Sequence, residues 1–520
     1  INGFIGTYTI SEGVAVVADS TFMAMKAIEA IEVVWNPGPI SNKNSKIIFE
    51  ELREKIGTMP ELPQDTHRQI ESVYEVPLLA HATMEPVNSF ANVKNGKCEI
   101  WTVTQNPQTA KTTVAKAIEM DEKDITVNVL LSGGGFGRGH RNDFVGMAAK
   151  IAKLSGYPIK LTYTKSNDIK NDYYRPLSVH CVKAGIDNLG KINSWIHKVS
   201  SQGTVKATNP KYEIPNMQNL EETLSFSIPT GSWRAVNNTQ NIFVNECMID
   251  ELAVLANVDP LEYRIEMTKD ERMKAVLKLV AEKSNWKKTL PKNYGRGVAT
   301  FNDYGGYAAH VVEVSINKFG TLKVERIVAA LDCGIAINPG NIESQFMGTA
   351  TDALSTAIKS EITIKDGKIE QSGFNDYEWL TMKESPEIEV HIMPSAESPS
   401  GIGELGFPSV SPALCNAIYN ATGVRIRKLP LKYHDLTSDA DKINNKKSEI
   451  IRINPNFDKK TISCEFEITQ VTNDDLNIKI IDVLGNVLIS ENFKKFDKSS
   501  FRNQYNIKSL NYGLYTLLAE

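Results

Sequence analysis

The stretch Ile125-Thr126-Val127-Asn128-Val129-Leu130-Leu131, followed by Ser132-Gly133-Gly134-Gly135-Phe136-Gly137-Arg138-Gly139 and then Asn142 to Leu154, decides how the chain is read. The first seven residues predict a strand. Asn142 to Leu154 places alanine and methionine on one helical face. A run of glycines between a strand and a helix lets the backbone approach a ligand, and the helix amino-terminus favours anions. A tight structural turn is the alternative. The loop does not have GxGxxG spacing with an acidic strand end about 20 positions on, nor the Gly-Lys-Ser/Thr of a phosphate loop.

The same alternation extends in both directions. Gly13 to Asp19 reads as a buried strand, Ser20 to Ile31 as a helix and Glu32 to Trp35 as a further strand. A strand–helix–strand unit at the first residue is expected to begin inside a domain. The chain is then a fragment, a processed product, or completed by a partner. A polar stretch to Asp65 predicts a linker with a short helix. Cys98 to Val103 predicts a strand and Pro107 to Ile118 a helix. Residues 158 to 200 predict strands joined by the turn Asp187-Asn188-Leu189-Gly190. Phe243 to Leu255 predicts a helix, and Asp259-Pro260 starts another with proline in its first turn. Residues 307 to 440 continue the pattern, giving an α+β architecture with mixed sheets.

The chain has 520 residues, which predicts three or four domains. Lysine and arginine total 58 against 62 aspartates and glutamates, a net charge of −4 that excludes a generic nucleic-acid binder. No apolar stretch is long enough for a membrane helix. Six scattered cysteines without a CxxC pair write no zinc site, iron–sulfur cluster or disulfide scaffold, and read as buried thiols.

Three further segments are rich in chemistry. Gly401-Ile402-Gly403-Glu404-Leu405-Gly406 sets a carboxylate among small residues, where it can face a pocket as a general base or cap the helix predicted at Pro412 to Thr422. Asp332-Cys333-Gly334, with Asn338-Pro339 and Gln345, is a polar loop opening a helix, or a plain cap. Gly231-Ser232-Trp233-Arg234-Ala235 places an arginine beside an aromatic, suited to an anion or a polarised oxygen, or to a surface ion pair.

Taken in order, these motifs resemble the molybdenum-binding subunit of the xanthine oxidase and aldehyde oxidoreductase family, in particular its isoquinoline 1-oxidoreductase type. The likeness also includes Met84-Glu85-Pro86, Trp101 to Gln105, Tyr173-Tyr174-Arg175-Pro176, Asp250 to Ala253 and Ala421 to Arg425, and covers residues 1 to about 432. It implies a partial amino-terminal domain and linker at 1–65 and a molybdopterin-binding domain in two parts, 66–300 and 301–437.

The resemblance further implies molybdenum held through a pyranopterin dithiolene, with no direct protein ligand to the metal and with the cytosine dinucleotide form usual in bacteria. It implies Glu404 as the base that deprotonates the metal's hydroxyl, Gln105 near its oxo group and Arg234 near substrate and metal. Gly134, Gly135, Phe136, Gly137 and Arg138 would pack beside the cofactor, with Asn338, Gln345 and Gly403 as further contacts. The reaction implied is insertion of a water-derived oxygen into an electron-poor C–H bond of an N-heteroaromatic or an aldehyde. Electrons would leave through a [2Fe–2S] partner subunit and onward to a cytochrome c. Arg138, Gly139 and His140 replace the lysine and glutamate of xanthine-type enzymes, which argues against a purine substrate. Gly139 also stands where the isoquinoline type has a second arginine, leaving substrate identity open. A cofactor-free secreted binding protein derived from the family is the other reading.

Residues 438–448 predict a linker and 449–520 a small β-sandwich. Its strands are predicted at Ile462–Ile468, Leu476–Val483, Gly485–Leu488 and Tyr515–Leu518, with turns at 473–475 and 484–486. Ile453-Asn454-Pro455-Asn456, Ile478 to Leu488 and Leu510 to Tyr515 resemble the sorting domain of type IX secretion. That implies a periplasmic, extracellular or cell-surface location rather than a cytoplasmic one.

Overall fold

A computed structural model describes residues 2–36, 38–203 and 205–437, together with the backbone of six strands between 451 and 519. The chain divides into one body of Ile1–Ile316 with Leu322–Leu436 and a second of Asn317–Thr321 with Thr437–Glu520.

The larger body opens with an antiparallel hairpin, β1 (Phe4–Ile10) and β2 (Gly13–Ala18), and helix α1 (Thr21–Glu29), whose first turn is capped by the Ser20 hydroxyl. Residues 32–35 form no strand: Val34 is fully exposed and Trp35 is 66% exposed, so no neighbour pairs their backbone. Helix α2 (Ser45–Ile56), capped by Asn44, buries Ile48, Leu52 and Ile56 at the four-residue spacing of one helical face.

The chain then runs through β3 (Arg68–Val76), β4 (Asn88–Lys94), β5 (Lys97–Thr102) and α3 (Pro107–Ile118). It continues with β6 (Ile125–Val129), α4 (Asp143–Ser155), β7 (Ile159–Thr162), α5 (Lys165–Lys170), β8 (Ser178–Ile186), β9 (Ile192–Gln202) and β10 (Asn216–Leu224). The short α5 interrupts a region predicted as strands only, because the Thr164 hydroxyl accepts from Asn167 N at 3.1 Å and nucleates a turn. Next come α6 (Asn238–Ala256), α7 (Pro260–Met267), α8 (Glu271–Lys283), β11 (Tyr294–Asp303), β12 (Gly306–Ile316), β13 (Leu322–Asp332) and α9 (Pro339–Ile358). The body closes with the two-residue strands β14 (Ile364–Lys365) and β15 (Lys368–Ile369), then β16 (Glu387–Ile392) and α10 (Val410–Thr422).

Three four-stranded mixed sheets organise these elements, in agreement with the α+β expectation. Their orders are β6-β5-β4-β7, β10-β9-β8-β3 and β11-β12-β13-β16, and each holds one parallel pair. Helices α3 and α4 cover the first sheet through Ala110, Val114, Ile118, Phe144 and Ala148. Helix α6 is buried on nearly every side and belongs to the same apolar cluster as β8 and β9. In the third sheet successive residues face opposite layers. Val298 packs with α8 and Ala299 belongs to the cluster containing α10. The five cysteines whose side chains are described, Cys98, Cys181, Cys247, Cys333 and Cys415, are all free and buried.

The second body contains β17 (Ile451–Asp458), β18 (Thr461–Thr469), β19 (Leu476–Asp482), β20 (Val487–Phe493), β21 (Ser500–Asn506) and β22 (Tyr515–Ala519). They form two antiparallel three-stranded sheets, β17-β18-β21 and β20-β19-β22. The sequence reading missed β17 and β21. The predicted turns at 473–475 and 484–486 and the linker at 438–448 lie outside the described residues. Among the described residues no helix is long and apolar enough to cross a membrane.

Candidate active site

The glycine loop leaves β6 and turns back across the end of β5. Its backbone is unusual: Gly134, Phe136 and Gly137 all have positive φ, at 113°, 51° and 114°. At Gly137 the requirement is double, because a Cβ there would lie 2.0 Å from the Ser232 carbonyl oxygen. A Cβ on Gly135 would lie 2.6 Å from Gln105 Oε1. That oxygen accepts from Gly137 N at 3.2 Å and Gly139 N at 3.1 Å, while Gln105 N donates to Gly139 O at 3.0 Å. Gln105, at the start of α3, is thereby stitched to the loop by both its backbone and its side chain.

The second wall is Gly231 to Val236, which enters α6. Trp233 Nε1 donates to Ala80 O at 3.1 Å and fixes the segment to the core. Ala235 and Val236 take left-handed φ values of 62° and 49°, which turn the Ala235 N–H outward. That N–H donates to Glu404 Oε1 at 2.9 Å. Arg234 points the other way: Nε and Nη2 donate to Gly403 O at 3.1 and 2.9 Å, and Nη1 to Asp352 Oδ2 at 3.1 Å. Its guanidinium carbon lies 5.3 Å from the centre of the Phe136 ring. Arg234 is 7% exposed, so the surface ion pair considered from sequence is not what forms. Burial pushes the Asp352 carboxyl up to about 6, although the Arg234 charge pulls it down.

The third wall is the loop 401–406 with α9. Gln345 Nε2 donates to Gly403 O at 3.0 Å, so that single carbonyl gathers Arg234 and Gln345. Asn341, Ser344, Gln345, Ile402 and Gly403 line an open cavity of about 540 Å³. Glu404 does not cap α10, which begins at Ser409 without a side-chain cap. Tyr304, in the turn between β11 and β12, lies beside Glu404, and burial together with that carboxylate raises its phenol above the ordinary value.

The structure thus brings together Gln105, Gly135, Phe136, Gly137, Arg234, Gln345, Gly403 and Glu404, with Gly134 shaping the turn. Two expected contacts fall elsewhere. Arg138 is 1% exposed and turned inward: Nη1 and Nη2 donate to Asp143 at 2.8 and 3.0 Å, and Nε lies 3.2 Å from Asp172 Oδ1. Burial opposes its charge, and Asp143, Asp172 and Asp168 outweigh that opposition. Its side chain braces the loop from behind, with Nη1 also donating to Arg141 O at 3.4 Å and the guanidinium lying over the Phe144 and Tyr173 rings at 5.5 and 5.4 Å. Asn338 uses its side-chain oxygen to accept from Asn341 N at 3.1 Å as the cap of α9. Asp332, in the same segment, holds Arg272 in a two-point pair at 2.7 Å.

Sequence reasoning missed Asp352, Tyr304, and the pair His81 and Asp172. Asp352 sits seven residues after Gln345 on α9, a same-face spacing that was legible. Tyr304 and Asp172 carried no sequence signal.

Comparison with known proteins identifies the domains of the chain. Residues 41–267 and 241–386 each match a molybdopterin cofactor-binding domain, and residues 453–520 match a secretion system C-terminal sorting domain. The chain is 27% identical to a membrane-bound aldehyde dehydrogenase (pyrroloquinoline-quinone) of Gluconacetobacter polyoxogenes, over 81% of this chain and 62% of that protein. It is 26% identical to isoquinoline 1-oxidoreductase subunit beta of Brevundimonas diminuta, over 83% of this chain and 61% of that protein. The chain therefore spans about three fifths of the length of these relatives. Among solved structures, quinoline 2-oxidoreductase from Pseudomonas putida 86 superposes with a TM-score of 0.69 at 14% identity, covering 83% of this chain and 87% of that one. At that identity the likeness is one of fold.

Proposed function

Because the chain belongs to the molybdopterin-binding subunits of the xanthine oxidase and aldehyde oxidoreductase family, we propose that it is the molybdenum-bearing part of a hydroxylase. The reaction is insertion of a water-derived oxygen into an electron-poor C–H bond of an N-heteroaromatic or an aldehyde. The observation that carries this reading is the meeting of Glu404 with the Arg234 loop, beside the glycine loop held by Gln105.

The residues present fit such a cofactor. Gln105 Oε1 is engaged by the loop, and its Nε2 donates to no acceptor among the described residues, leaving an amide donor for an oxygen of the group. A Cβ on Gly403 would meet only Gln345 Nε2, at 3.9 Å, at the edge of the cavity. Gln105, the backbone of Gly135 to Gly137, and Gln345 would hold it. When bound, a molybdenum cofactor supplies a Lewis-acidic two-electron acceptor.

The chain's own residues do the rest. Glu404 Oε1 is pinned by Ala235 N, which leaves Oε2 as the oxygen that would accept a proton in the site. Arg234 fixes a positive charge, paired with Asp352, between Phe136 and Gly403, where it would face an anionic oxygen of a bound group. Tyr304 flanks the carboxylate on the side of the β11–β12 turn. The cytosine dinucleotide form of the cofactor, a [2Fe–2S] partner subunit, onward transfer to a cytochrome c, and a separate amino-terminal chain belong to the same proposal. The name of the isoquinoline relative, a subunit beta, supports an assembly of several chains. The sorting-domain match supports export, to the periplasm or beyond it.

Elemental analysis of the protein purified from its native source, with companions retained, tests the reading. Molybdenum near one per chain with iron in a smaller companion is the expected result. A fully folded native complex without molybdenum would favour the cofactor-free binding protein instead. Glu404→Gln is expected to retain molybdenum and lose turnover by about 10²–10⁴-fold.

A further inference from the structure

Helix α9 presents Gln345 and Asp352 on one side, and both act on the same atom of the 401–406 loop. Gln345 Nε2 reaches Gly403 O directly at 3.0 Å. Asp352 reaches it through Arg234, whose Nη1 is 3.1 Å from Asp352 Oδ2 and whose Nε and Nη2 are 3.1 and 2.9 Å from Gly403 O. Arg234 and Asp352 are 7% and 6% exposed. Asp352 Oδ1 is buried without a hydrogen-bond partner. A buried carboxylate with one oxygen unsatisfied is a poor way to stabilise a fold, since an apolar residue of similar volume packs there at lower cost. Its effect on Arg234 is more specific. A guanidinium bound only to one carbonyl can pivot about that oxygen, and a second anchor on its far nitrogen fixes the plane of the fork.

We propose that Asp352 is a positioning residue, which fixes the Arg234 guanidinium between the Phe136 ring and the Gly403 carbonyl and thereby sets the loop bearing Glu404. The role of that loop in turnover rests on the functional reading above; the geometric role of Asp352 does not. Arg175 also lies close enough to influence the Asp352 carboxyl, and burial and Asp352 together raise the Tyr377 phenol, but the hydrogen bonds of Arg175 and Tyr377 go to Pro77 O and Ala80 O.

Two measurements test the proposal. In the full chain within its native complex, Asp352→Asn, Arg234→Gln and the double variant form a cycle. Asp352→Asn is expected to keep its molybdenum and lose about tenfold in kcat, the loss associated with one charge-assisted contact, and to add nothing once Arg234 is Gln. An unchanged kcat, or losses that multiply, would overturn it. The second measurement is a crystal structure of the cofactor-free Asp352→Asn chain, with Asp352→Leu as the volume-matched alternative. Departure of the guanidinium from Gly403 O is expected, and a guanidinium left in place overturns the proposal. Because this second arm needs no turnover, an inactive wild-type complex would sink the functional reading while Asp352 is still decided.

Discussion

His81 Nε2 lies 2.8 Å from the carbonyl oxygen of Ser232, the residue that touches the glycine loop at Gly137. The other ring nitrogen, Nδ1, is 2.9 and 3.0 Å from the two carboxylate oxygens of Asp172, whose Oδ1 also lies 3.2 Å from Arg138 Nε. Burial pushes the Asp172 carboxyl up, and His81 and Arg138 together bring it below the ordinary value. One buried chain, Arg138 to Asp172 to His81 to Ser232, therefore joins the backs of two loops whose fronts form the site. His81→Ala is expected to cost about 1–3 kcal/mol of stability, the penalty of unsatisfied buried acceptors. It should also lower kcat by more than that loss of folded protein explains. Denaturant melts beside turnover at a temperature where both proteins are folded check this; equal kcat would show that the chain does not position the loops.

Arg138 offers a sharper stability test. Arg138→Ala leaves Asp143 and Asp172 facing each other across a cavity, without the cation that both neighbour. The expected loss is about 3–5 kcal/mol, as for breaking a buried ion pair by removing one member. A urea midpoint indistinguishable from wild type would mean the carboxylates find other partners.

Two glycine substitutions should act in opposite directions. Gly137→Ala places a methyl 2.0 Å from Ser232 O on a backbone with φ of 114°, and should both destabilise the chain and spread the two loops. Gly348 sits within α9 with nothing within 4 Å of an added Cβ. Gly348→Ala should therefore stabilise the cofactor-free chain by up to about 1 kcal/mol through helix propensity. Thermal melts of the two variants against wild type measure both signs at once.

Acid should weaken the larger body through its buried histidines. Burial pushes His310 down to about 3 and His197 down to about 4, whereas the unfolded chain takes up these protons at the ordinary histidine value of about 6.5. Below that value the unfolded state holds more protons, so stability falls as pH drops through the window from about 6.5 towards 4. Asp352 has the opposite sign: its carboxyl, raised to about 6, keeps its proton longer in the folded state, and stability from this group falls as pH rises from about 4 to 6. His310→Gln keeps a partner for the Ser409 hydroxyl, 2.9 Å from His310 Nδ1, and should flatten the acid slope by close to one proton. Urea midpoints between pH 4 and 8 give that slope directly, and an unaltered slope would remove His310 as its source.

The sequence by itself determined what short-range forces decide. Asn106-Pro107 and Asp259-Pro260 start helices because a side-chain oxygen accepts the first free N–H groups and proline presets the turn. The glycines at 134 and 137 announce a backbone that side chains resist, and the loop is where they placed it. Glu32 to Trp35 shows the limit of such signals: its residues favour a strand, but with no neighbouring strand to pair with they form none. Only the tertiary structure decided which groups meet. Glu404 finds Ala235 N across 169 residues of chain, Arg234 finds Asp352 across 118, and Gln105 finds Gly137 across 32. It also decided that Arg138 faces inward and Asn338 serves a helix. Composition and spacing could not assign these partners, because a buried charge goes to whichever opposite group the packed core brings within hydrogen-bond reach.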